Sequence, residues 1–149
     1  MIVGNNSADQ FVRRPPSETV FFLVHGNDEG LIRERAGKLV AAALGDDPDP
    51  LRLVRLDGEA LTRTPGRLVD EARAISMFGG SRVIWIGAQG RDILLALEPL
   101  FRAPPVECTI VVEAGSLKKG ALSAPLGSAL LLYDLHLLFV HTSAMYLEL

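Results

Sequence analysis

Residues 19–25 read TVFFLVH, a continuous apolar run of strand length that Gly26 stops. A strand that is apolar on both faces is typical of a parallel sheet covered by helices on either side. Asp28 and Glu29 follow, where acids complement the positive end of a helix dipole. Apolar residues then recur at helical spacing as far as Gly45. This strand–turn–helix unit predicts an α/β fold.

The same alternation continues along the rest of the chain. Further strands are predicted at residues 51–56, 82–86 and 108–113, and further helices at residues 64–77 and 93–101. The pair Asp57-Gly58 is interpreted as a turn, and Thr64 and Pro65 as the cap and first residue of the longer helix. The pattern predicts a three-layer α/β domain with a parallel sheet and right-handed crossovers.

Composition favours an ordinary globular domain. The chain has 149 residues, of which 48% are hydrophobic and 22% charged, and its formal net charge is −3. The acidic balance argues against a free-standing nucleic-acid-binding protein. The single Cys108 excludes an internal disulfide, fits a reducing compartment, and is expected to be a small buried residue of a strand. The polar N-terminus lacks a signal-type apolar core.

Three parts are predicted along the chain: an N-terminal segment (residues 1–18), the α/β domain (residues 19–125) and an atypical apolar tail (residues 126–149). Within the tail, residues 129–140 read ALLLYDLHLLFV and contain no Lys or Arg. This stretch is too short to span a bilayer. Two explanations stay open, a truncated or frame-altered terminus, or a strand and helix that complete the sheet.

The first strand-to-helix turn has the position of a phosphate loop, because backbone N–H groups at a helix start can bind an anion. The loop consists of Gly26, Asn27, Asp28, Glu29 and Gly30. A nucleoside-triphosphate loop needs four residues between its glycines and then Lys and Ser or Thr. Here three residues separate the glycines, Leu31 and Ile32 follow, and two acids would face the phosphates. The sequence therefore predicts a degenerate loop without nucleotide.

No catalytic or metal-binding set is predicted. The three histidines are scattered, and together with Cys108 they cannot build a structural zinc site. Glu113 ends the fourth predicted strand without an evident substrate beside it, so we expect a surface or capping role. No cofactor is expected.

Residues 74–82, AISMFGGSR, close the predicted longer helix with more apolar residues than one stripe can hold. Ile75 extends the apolar stripe of that helix, but the adjacent Met77 and Phe78 differ by about 100° around the helix axis. At least one of the two is expected to point away from the core. Two interpretations remain: a helix end folded under a loop, or an apolar plug for a pocket on another protein.

The chain resembles the N-terminal domain of the delta subunits of the bacterial DNA polymerase III clamp loader, with an alphaproteobacterial character. Five stretches in the family's order carry the resemblance over about four-fifths of the chain: residues 11–16 (FVRRPP), 24–35 (VHGNDEGLIRER), 54–58 (VRLDG), 70–80 (DEARAISMFGG) and 111–120 (VVEAGSLKKG). The apolar tail departs from the family, whose members also continue into helical and collar domains.

The resemblance implies an AAA+-like domain that does not bind ATP and that opens the ring-shaped β sliding clamp during DNA replication in the bacterial cytoplasm. Ser76, Met77 and Phe78 match the family's clamp-binding pattern of Ser, long aliphatic residue and Phe, with Ile75 and Arg82 supporting them. Other loader subunits would join only a full-length chain, and DNA contact would be indirect or weak. No membrane partner is implied.

Catalytic activity of the chain itself is not expected, although the family is classed with DNA-directed DNA polymerase as part of the holoenzyme. Two other functions stay open. A nucleotide-binding enzyme of the phosphate-loop type would be stabilised by nucleotide. An unrelated α/β protein-interaction module would keep the fold without affinity for the clamp.

Overall fold

The computed structural model describes residues 2–3, 5–17, 20–46, 49–77, 79–115 and 137–141. The strands are β1 (Ile2–Val3), β2 (Phe21–His25), β3 (Leu53–Asp57), β4 (Arg82–Gly87), β5 (Cys108–Gly115) and β6 (Leu137–His141). The helices are α1 (Asn5–Arg13), α2 (Glu29–Leu44), α3 (Gly58–Arg63), α4 (Gly66–Arg73) and α5 (Leu94–Arg102). A short 3-10 turn, Pro50–Arg52, precedes β3.

The six strands form one sheet in the order β1-β6-β2-β5-β4-β3, and every neighbouring pair is parallel. This confirms the predicted parallel α/β sheet. All five residues of β2 are buried, as a strand covered on both faces requires. The next helix, α2, begins at Glu29 and is capped by Gly45 with a φ of 63°, as predicted.

Helices cover both faces of the sheet, which gives three layers. On one face, Phe22 and Val24 pack with buried residues of α1 and α2. On the other face, Phe21 and Leu23 pack with buried residues of α3, α4 and α5. Because side chains alternate along β2, the strand contributes residues to two separate apolar clusters, one on each face of the sheet.

The N-terminal segment takes part in one of these clusters. Ala8 and Val12 of α1 are buried against α2. The Arg35 Nε of α2 lies 3.2 Å from the Asp9 Oδ1 of α1. Residues 5–13 thus share a core with the α/β domain.

In the apolar tail, the described residues 137–141 form a strand between β1 and β2. The rest of that tail lies outside the described residues. The strand is compatible with the interpretation in which the tail completes the sheet.

The predicted boundaries differ from the structure in the middle of the chain. The second predicted strand corresponds to β3. It begins at Leu53 rather than at residue 51, because Pro50–Arg52 forms the 3-10 turn. Asp57-Gly58 is not a free turn, since the Asp57 Oδ1 accepts a hydrogen bond from the Glu59 N–H at 2.7 Å and caps α3. Helix α3 was missed for this reason, and α4 follows it after a short break.

Candidate functional site

The loop of residues 74–81 joins α4 to β4 and contains the predicted clamp-binding residues. Helix α4 ends at Arg73, so the prediction of a helix that runs to Met77 is wrong. The Arg82 Nη1 donates to the Glu71 carbonyl oxygen at 2.9 Å, and its Nη2 lies 3.1 Å from the Glu71 Oε2. Because this cation satisfies a carbonyl of the last turn, the helix can end without a further turn.

A buried arginine holds the other end of this loop. The Arg52 Nε donates to the Ser81 carbonyl oxygen at 2.9 Å, and its Nη1 donates to the Leu44 carbonyl oxygen at 3.0 Å. Gly80, with a φ of 80°, passes so close that a Cβ there would lie 3.2 Å from the Arg52 Nε. The guanidinium therefore joins the end of α2 to the base of the loop.

Ser76 organises the middle of the loop. Its Oγ donates to the Gly79 carbonyl oxygen at 2.9 Å, and Gly79 has a φ of 79°, which favours glycine. Among the predicted clamp-binding residues, Ser76 thus stabilises the turn that presents its neighbour.

Ile75 and Met77 point away from the core. Their exposed fractions are 89% and 90%. The prediction that Ile75 extends the buried stripe of α4 is wrong, because the helix has already ended before it. Phe78 lies outside the described residues.

Two more exposed apolar side chains, Leu51 and Val106, lie beside this loop. Leu51 precedes Arg52, which bonds to Ser81. Val106 precedes Glu107, whose carbonyl oxygen accepts the Arg82 N–H at 2.9 Å. The loops before β3, β4 and β5 therefore meet at the amino end of the sheet. We name their exposed side chains, Leu51, Ile75, Met77 and Val106, the apolar edge.

The predicted phosphate loop lies at the opposite, carboxyl end of the sheet. The Asp28 Oδ1 accepts the Leu31 N–H at 3.0 Å and caps α2. The Gly26 N–H donates to the Gly115 carbonyl oxygen at 3.0 Å. A carboxylate therefore takes the place at the helix start where an anion would bind. Asn27, Glu29 and Gly30 of this loop are exposed.

A cleft of about 270 Å³, which the sequence reading missed, lies on the α2 side near the carboxyl ends of the strands. Its lining residues are Arg33, Arg55, Leu56, Trp85, Gly87 and Glu113. The Arg55 Cζ lies 4.2 Å from the centroid of the Trp85 ring, and the Trp85 Nε1–H donates to the Glu113 carboxylate. The signal in the sequence was an arginine and a tryptophan inside otherwise apolar strands. Their pairing becomes visible only with the register, in which Arg55 lies opposite Trp85.

Cys108 begins β5 and is buried, as predicted. Burial raises the pKa of its thiol from 9.0 to about 11, and the nearby Arg82 guanidinium opposes this shift. A thiol that stays protonated is a poor nucleophile, which agrees with its assignment as a core residue.

The residues that the structure describes contain no group of three or more His, Cys, Asp or Glu side chains arranged to hold a metal ion. No helix among these residues has the length and apolar character needed to cross a bilayer.

Comparison of the chain with models of known protein families gives no match, and comparison with curated protein sequences gives no significant relative.

Proposed function

We propose that this chain binds the β sliding clamp of bacterial DNA replication in the cytoplasm, favours the opened ring, and does so without binding ATP. The observation that carries the proposal is Met77, which is 90% exposed on a loop held at both ends. The ordered sequence motifs that resemble clamp-loader delta subunits indicate the partner.

An exposed apolar side chain on a loop whose backbone is held in place suits insertion into a pocket of the partner. Burying Met77 and Phe78 would each contribute about 1.5–3 kcal/mol before ordering costs. The Arg52 and Arg82 contacts reduce those ordering costs, because the loop backbone is already held in the free protein.

The apolar edge also supplies surface around the plug. A stable protein interface buries about 800 Å² on each partner, whereas a single aromatic side chain buries only roughly 150–250 Å², so Met77 and Phe78 alone fall short of this area. Leu51 and Val106, on the flanking loops, are placed to contribute part of the difference. Ring opening further requires that the chain binds the opened clamp more tightly than the closed one.

The carboxyl-end loop supports the absence of ATP chemistry in the proposal. Asp28 caps α2 where a triphosphate would need N–H donors, and Leu31 rather than a lysine comes directly after Gly30. A nucleotide-binding enzyme would instead gain thermal stability from ATP and Mg²⁺, so an increase in Tm with nucleotide would favour that alternative.

The deciding experiment is a calorimetric titration of the chain with purified β clamp. The double variant Met77→Ala/Phe78→Ala should lose clamp binding, and circular dichroism should show that it stays folded. Leu95→Ala is the matched control, because Leu95 is also a largely exposed apolar residue but lies at the start of α5, which follows the carboxyl end of β4. Equal clamp affinity for the double variant and the parent chain would overturn the proposal. A folded parent chain with no clamp affinity would favour an unrelated interaction module.

A further inference from the structure

We propose that the cleft formed by Arg33, Arg55, Trp85 and Glu113 is a binding site for a small oxyanionic ligand that carries phosphate or carboxylate groups. The site is separate from the apolar edge, because it lies near the carboxyl ends of β3, β4 and β5 rather than their amino ends.

Two guanidinium groups give the cleft its positive charge. Within the part of the chain that the structure describes, neither Arg33 nor Arg55 forms an ion pair, although both line the same cleft. Among the lining residues that the structure describes, Glu113 is the single acid, so their formal charge is +1. Guanidinium groups present paired N–H donors that match the oxygens of phosphate and carboxylate.

Trp85 keeps the two opposite charges of the cleft apart. Its indole N–H donates a hydrogen bond to the Glu113 carboxylate. The Arg55 guanidinium makes a cation–π contact with the face of its ring, with Cζ 4.2 Å from the ring centroid. Arg55 is thereby oriented without being neutralised by Glu113. This arrangement leaves cationic N–H donors available to a ligand.

The same contacts select the class of ligand. Because Arg55 covers a face of Trp85, that face is closed to the stacking of a nucleobase. The volume of about 270 Å³ lies just below the range of roughly 300–1,000 Å³ that holds drug-sized ligands. A compact anion fits both constraints better than a nucleotide or a peptide.

Trp85 is the only tryptophan in the chain, so its fluorescence reports on this cleft alone. We would titrate the full chain with pyrophosphate and, separately, with citrate, at constant ionic strength, and follow both fluorescence and heat. Saturable binding of pyrophosphate but not citrate would identify a phosphate site, and the reverse would identify a carboxylate site. A response no larger than that to an equal ionic strength of KCl would overturn the proposal.

Three variants make the test specific to the cleft. Arg33→Gln should weaken anion binding at least tenfold without altering the contact between Arg55 and Trp85. Glu113→Gln keeps an acceptor for the Trp85 N–H but removes the negative charge, so it should tighten binding about threefold to tenfold. Arg67→Gln is the matched control, because Arg67 is an exposed arginine on α4, across the sheet. Equal losses in Arg33→Gln and Arg67→Gln would show a non-specific charge effect and overturn the site.

Discussion

Gly58 shows how closely two elements approach at a single residue. It begins α3, and a Cβ at this position would lie 2.5 Å from the Ala88 carbonyl oxygen and 2.9 Å from its Cα. Both atoms belong to the backbone that follows β4, so they cannot move aside as a side chain would. Asp57 supplies the cap and Gly58 supplies the space, which explains why a pair that resembles a turn begins a helix here.

We expect Gly58→Ala to lower the free energy of unfolding by about 1–3 kcal/mol, as overpacking does. Gly66→Ala is the matched control, since nothing lies within 4 Å of a Cβ at the start of α4. That control should be neutral or more stable by about 0.4–1 kcal/mol, because alanine restricts the unfolded chain. Urea unfolding of both variants measures the difference. Equal stabilities would contradict the close approach.

Cys108 makes stability depend on pH at the alkaline end. The folded thiol, with a pKa of about 11, keeps its proton while the unfolded thiol, with a pKa near 9.0, loses it. The unfolded state therefore binds fewer protons between pH 9 and pH 11, and stability falls as pH rises through this window. The limiting slope is about 1.4 kcal/mol per pH unit.

Unfolding by urea at pH 8, 9, 10 and 11 measures this slope, with Cys108→Ala as the control. The variant should lose the Cys108 contribution and show a shallower decline. Parallel curves for the two proteins would contradict the raised pKa.

At the scale of elements, the sequence predicts the central strands better than the segments that connect them. Strands β2, β4 and β5 each contain an apolar run with buried residues on both faces, and such runs are recognisable without any tertiary information. Helix α4 was predicted too long because apolar residues continue at helical spacing beyond its end. What ends it is a distant contact from Arg82 to Glu71, which no local pattern contains.

The candidate sites were predictable to different degrees. The crowding of apolar residues predicted that at least one of Met77 and Phe78 points away from the core, and Met77 is exposed, although on a loop rather than on the predicted helix. The position of Leu51 and Val106 at the same end of the sheet was not predictable from the sequence, because it depends on the order of the strands. The arginine cleft was missed for the same reason, since Arg55 and Trp85 meet across two strands.

The loop of residues 74–81 depends on Arg52 as a unit. We expect Arg52→Gln to lower the free energy of unfolding by about 2–3 kcal/mol, because two carbonyl groups lose a charged donor. If the proposed function is correct, the loosened loop should also weaken clamp binding about threefold to tenfold. Urea unfolding and the calorimetric titration measure the two effects.

Arg67→Gln serves as the control for this prediction too, and it should change neither quantity. A stable Arg52→Gln variant with unaltered clamp affinity would show that the guanidinium does not hold the loop.

At the scale of the whole molecule, the two proposed binding surfaces lie at opposite ends of the strands of the sheet. The apolar edge lies at the amino ends of the strands, and the arginine cleft lies near their carboxyl ends. Substitutions at sites this far apart, without shared contacts, are expected to have additive effects. Clamp affinity and anion affinity should therefore respond independently to variants of the two surfaces.

The N-terminal helix α1 is expected to contribute to global stability, because Val12 is buried against α2. Val12→Ala should lower the free energy of unfolding by about 1–3 kcal/mol. Gln10→Ala, at an exposed position of the same helix, should change it by less than about 0.5 kcal/mol. Chemical denaturation of the two variants tests this. If Val12→Ala costs no more than Gln10→Ala, the helix does not belong to the core.

The position of β6 between β1 and β2 has a consequence for synthesis on the ribosome. Ile2 pairs with Phe139, and β2 has β5 on one side and β6 on the other. Until residue 141 emerges, one side of β2 remains an open edge with unpaired N–H and C=O groups. The nascent chain therefore leaves one edge of this buried strand unpaired until β6 has been synthesised, and such long-range pairing folds slowly. We expect the nascent chain to depend on chaperones until β6 has been synthesised and pairs with β2.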